Sequence, residues 1–218
     1  MNPIYRSITD LDWMTVLLAL SLVLLSTGKY FFKGAFFNFV VLPFNNKYIA
    51  LNKKKTKILQ GFHVIMSFFQ IINLALFFFI ASNRLKDYGF SAYTDFYLAM
   101  VVCLFAFLVI KVLLQLANGY FFENSELMTE LIFEKLTYFN YGGFIAFVGN
   151  ILMIYVLPEF IPLIYIIILL VLAVNAIGFV RILRNHQKLI AGNIFYFILY
   201  LCTLEISPIA IIISYLNS

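Results

Sequence analysis

Long apolar stretches separated by short polar connectors dominate this sequence. A helix that spans a bilayer needs about 20 mostly apolar residues, and six stretches reach that length, at residues 13–32, 61–82, 95–118, 138–157, 163–181 and 192–215. None of them alternates between polar and apolar residues as the strands of a membrane β-barrel do. The pattern predicts an all-α fold, a polytopic transmembrane helix bundle with six spans in a single domain.

Basic residues fall mostly on one side of this predicted bundle. Eleven Lys and Arg residues lie on the side of the connectors 33–60, 119–137 and 182–191, and three lie on the opposite side. Connectors rich in Lys and Arg stay in the cytoplasm. The count therefore predicts that these connectors are cytoplasmic and that both termini lie outside, in the periplasm of a bacterial inner membrane.

The first apolar stretch could also belong to a signal peptide. Asp10 and Asp12 precede it together with Arg6, so it lacks a purely basic leader, and no small-residue cleavage site follows it. We expect a retained first span.

Composition supports the membrane assignment. Of the 218 residues, 64% are hydrophobic and 11% are charged, against roughly 45–50% and about 25% in soluble domains. The net charge of +5 would favour nucleic-acid binding only if the basic residues shared a soluble face. Because they cluster between apolar spans, we expect the lipid bilayer as a partner and no nucleic acid.

Two predicted cytoplasmic connectors carry charged surfaces of opposite sign. A basic cluster precedes the second span and comprises Lys53, Lys54, Lys55 and Lys57. This cluster is interpreted as a topology determinant that rests on anionic lipid headgroups, or as a specific binding site for a lipid or a partner. An acidic stripe at helical spacing comprises Glu123, Glu126, Glu130 and Glu134. It predicts an amphipathic helix whose acidic face is solvated, paired with the basic connectors, or a docking surface for a basic partner.

Two ionisable residues lie deep inside predicted spans. Lys111 is in the third span and Glu205 is in the sixth, at similar depths if counted from the cytoplasmic ends at ~1.5 Å per residue. We expect them to pair, since an isolated charge in a bilayer is costly. The pair is either structural or a proton or ion relay. Pro208, three residues after Glu205, frees a backbone carbonyl and can kink the helix there.

Smaller polar residues recur within the spans. His63, Ser67 and Gln70 form a stripe on the second span, whereas Gly142, Ala146 and Asn150 give a small-xxx-small pattern in the fourth. Ser207 belongs to a similar stripe in the sixth. These positions indicate helix packing and interhelical hydrogen bonds more than a substrate path.

Sequence motifs of enzymes and of metal or cofactor sites are missing. The chain has no H-E-x-x-H, G-x-S-x-G, Walker or G-x-G-x-x-G sequence. We therefore expect no enzyme activity, no cofactor and no metal. The leading hypothesis is an accessory or scaffold subunit of a larger envelope complex, such as a secretion or surface-assembly machine. The alternative is a small transporter or channel that uses Lys111 and Glu205 as a relay.

Two segments carry a resemblance to a known family. They run from Lys111 through Asn118-Gly119-Tyr120-Phe121-Phe122-Glu123, and from Leu199 through Glu205 to Pro208. They resemble an uncharacterised family of multi-spanning inner-membrane proteins of Bacteroidota, a domain of unknown function. The resemblance implies that organism group and an inner membrane, and it marks Lys111, Glu205 and Pro208 as motif positions.

Overall fold

The structure, a computed structural model, describes residues 12–42, 61–85, 94–121, 125–158 and 160–185. Every regular element in these ranges is helical, which confirms the all-α prediction for them. The six α-helices are α1 (Asp12–Phe31), α2 (Lys33–Val40), α3 (Gly61–Leu85), α4 (Thr94–Phe121), α5 (Ser125–Ile151) and α6 (Pro162–Asn185). A π-helical turn, Leu152–Val156, continues α5.

Five of the described helices are long and apolar enough to cross a membrane. Their apolar segments are Asp12–Phe31, Gly61–Leu85, Asp95–Ala117, Thr129–Val156 and Pro162–Arg184. Such a set of helices marks a membrane protein. The predicted sixth span, 192–215, lies outside the described residues, as do most of the connectors 33–60 and 182–191.

Helix α3 lies at the centre of the described bundle. It packs against α1, α4 and α5, and α5 also packs against α4 and α6. Within α3, residues such as Phe69, Ala75 and Leu76 are fully buried. By contrast, only 6% of the most apolar stretch of α4 is buried. Most of this helix therefore presents apolar side chains outward, as lipid contact requires.

Helix α5 begins before the predicted fourth span. We expected an amphipathic helix in the connector 119–137 that leads into a span over 138–157, and α5 runs without a break from Ser125 through both. Within this helix, Leu131, Ile132 and Phe133 are buried against the rest of the bundle. Their burial holds this acidic segment inside the bundle instead of on a solvated surface.

Helix α2 packs under one end of the bundle. Phe39 and Leu42 are buried there, and Phe39 contacts the rings of Phe62 and Tyr141. The guanidinium of Arg181 donates to the carbonyl of Leu42 at 2.9 Å. The apolar stretch after the first span is therefore anchored to the beginning of α3, the middle of α5 and the last turns of α6.

In the turn between α5 and α6, a side chain takes the place of a backbone donor at the Met153 carbonyl. The N–H of Leu157 donates to Leu152 at 2.8 Å in the π-helical pattern. The next carbonyl, that of Met153, would pair in this pattern with residue 158, a proline without an N–H. Arg84 donates to this carbonyl instead, at 2.6 Å, and so ties the end of α3 to the turn.

Candidate functional site: a lysine cavity inside the bundle

Two lysines share one cavity inside the described bundle. Lys111 of α4 and Lys135 of α5 line a cavity of about 210 Å³, and their side chains are close enough to interact with each other. We call this space the lysine cavity. The ammonium group of Lys111 also lies 5.7 Å from the ring centroid of Phe107, a favourable position for a cation.

Both lysines lie at the same depth. Lys111 precedes the last residue of α4, Phe121, by ten residues, and Lys135 follows the first residue of α5, Ser125, by ten residues. At about 1.5 Å per residue, each lies roughly 15 Å along its own helix from that helix end. Both lysines belong to the apolar spanning segments Asp95–Ala117 and Thr129–Val156.

The lysine cavity opens into a groove between three helices. Helix α5 forms its floor, and α4 and α6 form its walls, with Gln115 on one wall and Asn175 on the other. A second cavity of about 330 Å³ continues along α5 and α6 and shares Lys135 and Asn175 with the first. The groove therefore combines apolar walls with two lysines and two amides.

The acidic stripe ends inside the bundle rather than on its surface. Glu134, expected on a solvated or docking face, is 1% exposed, and Glu130 is half-buried. Glu134 lies near Tyr138, whose hydroxyl accepts a hydrogen bond from Arg181 at 3.2 Å. Burial of Glu134 by the apolar residues around it does not fit a solvated or docking face at this position. Its pairing with the chain's own basic connectors, the third alternative, stays a prediction.

A polar seam joins α3 and α5, which run in the same direction. His63 stacks on Phe133 at 5.1 Å, and the Ser67 hydroxyl lies 3.3 Å from the Asn140 side-chain oxygen. Further along the seam, the Asn150 amide donates to the Asn73 carbonyl at 2.9 Å. The Asn73 amide itself donates to Ser21 of α1 at 3.0 Å. These bonds hold α1, α3 and α5 together within the apolar bundle.

Gln70 lies in the middle of this polar seam and is fully buried. Within the part of the chain that the structure describes, neither its amide nitrogen nor its amide oxygen has a hydrogen-bond partner. A β-carbon added to Gly143 of α5 would lie 2.7 Å from the Gln70 backbone, so only glycine permits this approach. Ala146 and Asn150 are fully buried as well. A β-carbon added to Gly142 would instead face α6, 3.3 Å from Val171.

Several predicted site residues cannot be compared with the structure. Those outside the described residues are Lys53, Lys54, Lys55, Lys57, Glu123, Glu205, Ser207 and Pro208. Glu126 belongs to α5, but its side chain is outside the described set. The predicted pair of Lys111 with Glu205 therefore stays a prediction.

Lys135 is the site residue that sequence reasoning missed. We counted it among the basic residues of a cytoplasmic connector, since the glutamates before it suggested a solvated helix. The signal that could have identified it is the apolar run Leu131-Ile132-Phe133. This run extends the hydrophobic span towards the N-terminus, beyond Lys135. Among the described residues, no group of three His, Cys, Asp or Glu side chains could hold a metal ion.

The comparisons with known proteins give the family. The sequence profile described as "Domain of unknown function (DUF4271)" matches residues 14–216. The chain belongs to this family. No curated protein and no solved structure matches it.

Proposed function

We propose that this protein is a small transporter or channel that passes an ion or a proton through the lysine cavity. The observation that supports it is the shared position of Lys111 and Lys135 within two spanning segments. Ionisable groups at membrane depth are costly, and they commonly mark ion paths and proton relays. Two neighbouring cations in a low-dielectric groove attract negative charge strongly.

The setting of this proposal follows from the sequence. We propose a bacterial inner membrane, in a member of the Bacteroidota, with six spans and both termini in the periplasm. The distribution of Lys and Arg supports that orientation. Reporter fusions after Ser218 and within 53–57 test it: a periplasmic signal at the C-terminus agrees with the proposal, and a cytoplasmic signal contradicts it.

Flux measurements on the purified protein test the transport proposal. We would reconstitute it into liposomes that contain a pH-sensitive dye, and in parallel a chloride-sensitive dye, and impose a gradient of each ion. Lys111→Met and Lys135→Met should each slow the flux. Lys29→Met, which removes an exposed cation from α1, is the matched control and should leave the flux unchanged. Equal rates in empty and protein-containing liposomes would contradict the proposal.

A second candidate function is an accessory subunit of an envelope complex. The observation that favours it is the outward face of α4, where Leu98, Val102 and Leu113 are each more than half exposed. Such a face accepts lipid or another membrane helix equally well. Purification in mild detergent followed by mass spectrometry distinguishes the two candidates. A stoichiometric partner that protects this face supports the subunit, and a monomer or homodimer with ion flux supports the transporter.

A further inference from the structure

We propose that residues 192–215 of the same chain dock in the groove over the lysine cavity, with the Glu205 carboxylate between Lys111 and Lys135. This proposal rests on the proposed function, since it names the internal group that occupies the cavity. It adds to the sequence-based pair a second lysine and a place for the segment between α4 and α6.

The length of the connector limits where the segment can lie. Helix α6 ends at Asn185, and the apolar stretch begins at residue 192, after six connecting residues. Six residues extend at most about 20 Å, about two helix diameters. The segment must therefore begin within this distance of the end of α6, and the groove, which α6 itself lines with Asn175, lies within that reach.

The depths of the charged groups agree. Asn175, on the wall of the lysine cavity, lies ten residues before the end of α6 at Asn185. Glu205 follows residue 192 by thirteen residues. If 192–215 is helical, as its apolar pattern predicts, the two depths differ by about 5 Å at about 1.5 Å per residue, which is one helical turn. The flexible four-carbon stems of the lysines span that difference.

Charge complementarity identifies the segment as the occupant. Glu205 is the only residue of the stretch 192–215 with a formal charge at pH 7, and the groove presents two lysines at the matching depth. A carboxylate accepts hydrogen bonds from two ammonium groups through its two oxygens. Pro208 leaves the carbonyl one turn earlier without its helical donor, which adds an acceptor beside Glu205.

Crosslinking between engineered cysteines tests this placement. In a Cys103→Ala, Cys202→Ala background, we would combine Glu205→Cys with Lys135→Cys, or with Lys111→Cys, and add a short bismaleimide. We would also insert a protease site in 186–191. Cleavage there separates the segment from the bundle unless a crosslink joins the two. The matched control combines Glu205→Cys with Ile110→Cys, a neighbour of Lys111 that is 56% exposed. We expect most of the chain to stay joined in the two lysine pairs and to separate in the control.

A photocrosslinker at Asn175 covers the case in which these cysteine variants fail to fold. Benzoylphenylalanine there leaves both lysines and Glu205 intact, and mass spectrometry identifies what it captures. Capture of 192–215 of the same chain supports the proposal. Capture of lipid, of a second copy or of another protein overturns it, as does a control pair that crosslinks as well as the lysine pairs. Because neither experiment measures flux, a docked segment in a protein without flux would refute only the transport function.

Discussion

Lys111 and Lys135 each lie ten residues from the adjoining ends of α4 and α5, Phe121 and Ser125, and line one cavity of about 210 Å³. If the Glu205 carboxylate lies between them, Glu205→Gln leaves two neighbouring cations, whereas Lys135→Met leaves a balanced pair. Breaking a buried pair by removing one partner costs about 3–5 kcal/mol. We expect Glu205→Gln to lower the thermal stability in detergent more than Lys111→Met or Lys135→Met.

The double variant separates pairing from a general loss of packing. The combination of Glu205→Gln with Lys135→Met leaves Lys111 without a neighbouring like charge. It should therefore recover part of the stability lost in Glu205→Gln alone. Additive losses in the double variant would show that the two groups do not interact. A Glu205→Gln protein as stable as the wild type would contradict the pairing.

Gly143 should be intolerant of any side chain. Its missing β-carbon would lie 2.7 Å from the Cα atom of Gln70, so Gly143→Ala must push α3 and α5 apart. Overpacking of this kind costs about 1–3 kcal/mol. The control is Gly34→Ala in α2, which has no atom within 4 Å of the new methyl group. Thermal unfolding should show a loss at Gly143 and none at Gly34; equal shifts would contradict the close approach.

Arg84→Met should weaken the junction of α3 with the α5–α6 turn. It removes the donor that satisfies the Met153 carbonyl at 2.6 Å. A hydrogen bond from a charged donor contributes about 1.5–3 kcal/mol. Adding Pro158→Ala restores a backbone N–H in the turn and should recover part of this loss in thermal stability. No recovery in the double variant would show that Arg84 acts through another contact.

Gln70→Leu should leave the fold intact or stabilise it. The glutamine is fully buried, and neither amide atom is bonded to any residue that the structure describes. An unsatisfied buried polar group costs about 1–3 kcal/mol. Asn73→Leu is the contrast, because it removes bonds from Asn73 to Ser21 and to the Phe69 carbonyl. We expect a higher unfolding temperature for Gln70→Leu and a lower one for Asn73→Leu. A lower temperature for Gln70→Leu would indicate a partner for that amide.

The sequence predicted the helical class because spans of about 20 apolar residues are unambiguous. It placed His63, Gln70 and Asn150 on helix faces, since helical spacing depends only on local geometry. It failed where tertiary packing overrides local polarity. In the sequence, Glu130 and Glu134 indicate a solvated helix. Only their contact with the rest of the bundle buries them. For the same reason Lys135 was assigned to a connector instead of to the lysine cavity.

Chemical restoration of the lysine charge tests the central claim most directly. In the Cys103→Ala, Cys202→Ala background, Lys135→Cys should slow ion or proton flux into liposomes. Reaction with aminoethyl methanethiosulfonate then rebuilds a lysine-like ammonium group at position 135 and should return the flux towards its original rate. If Lys135→Cys conducts as well as the background protein before any reaction, the lysine cavity is not the path.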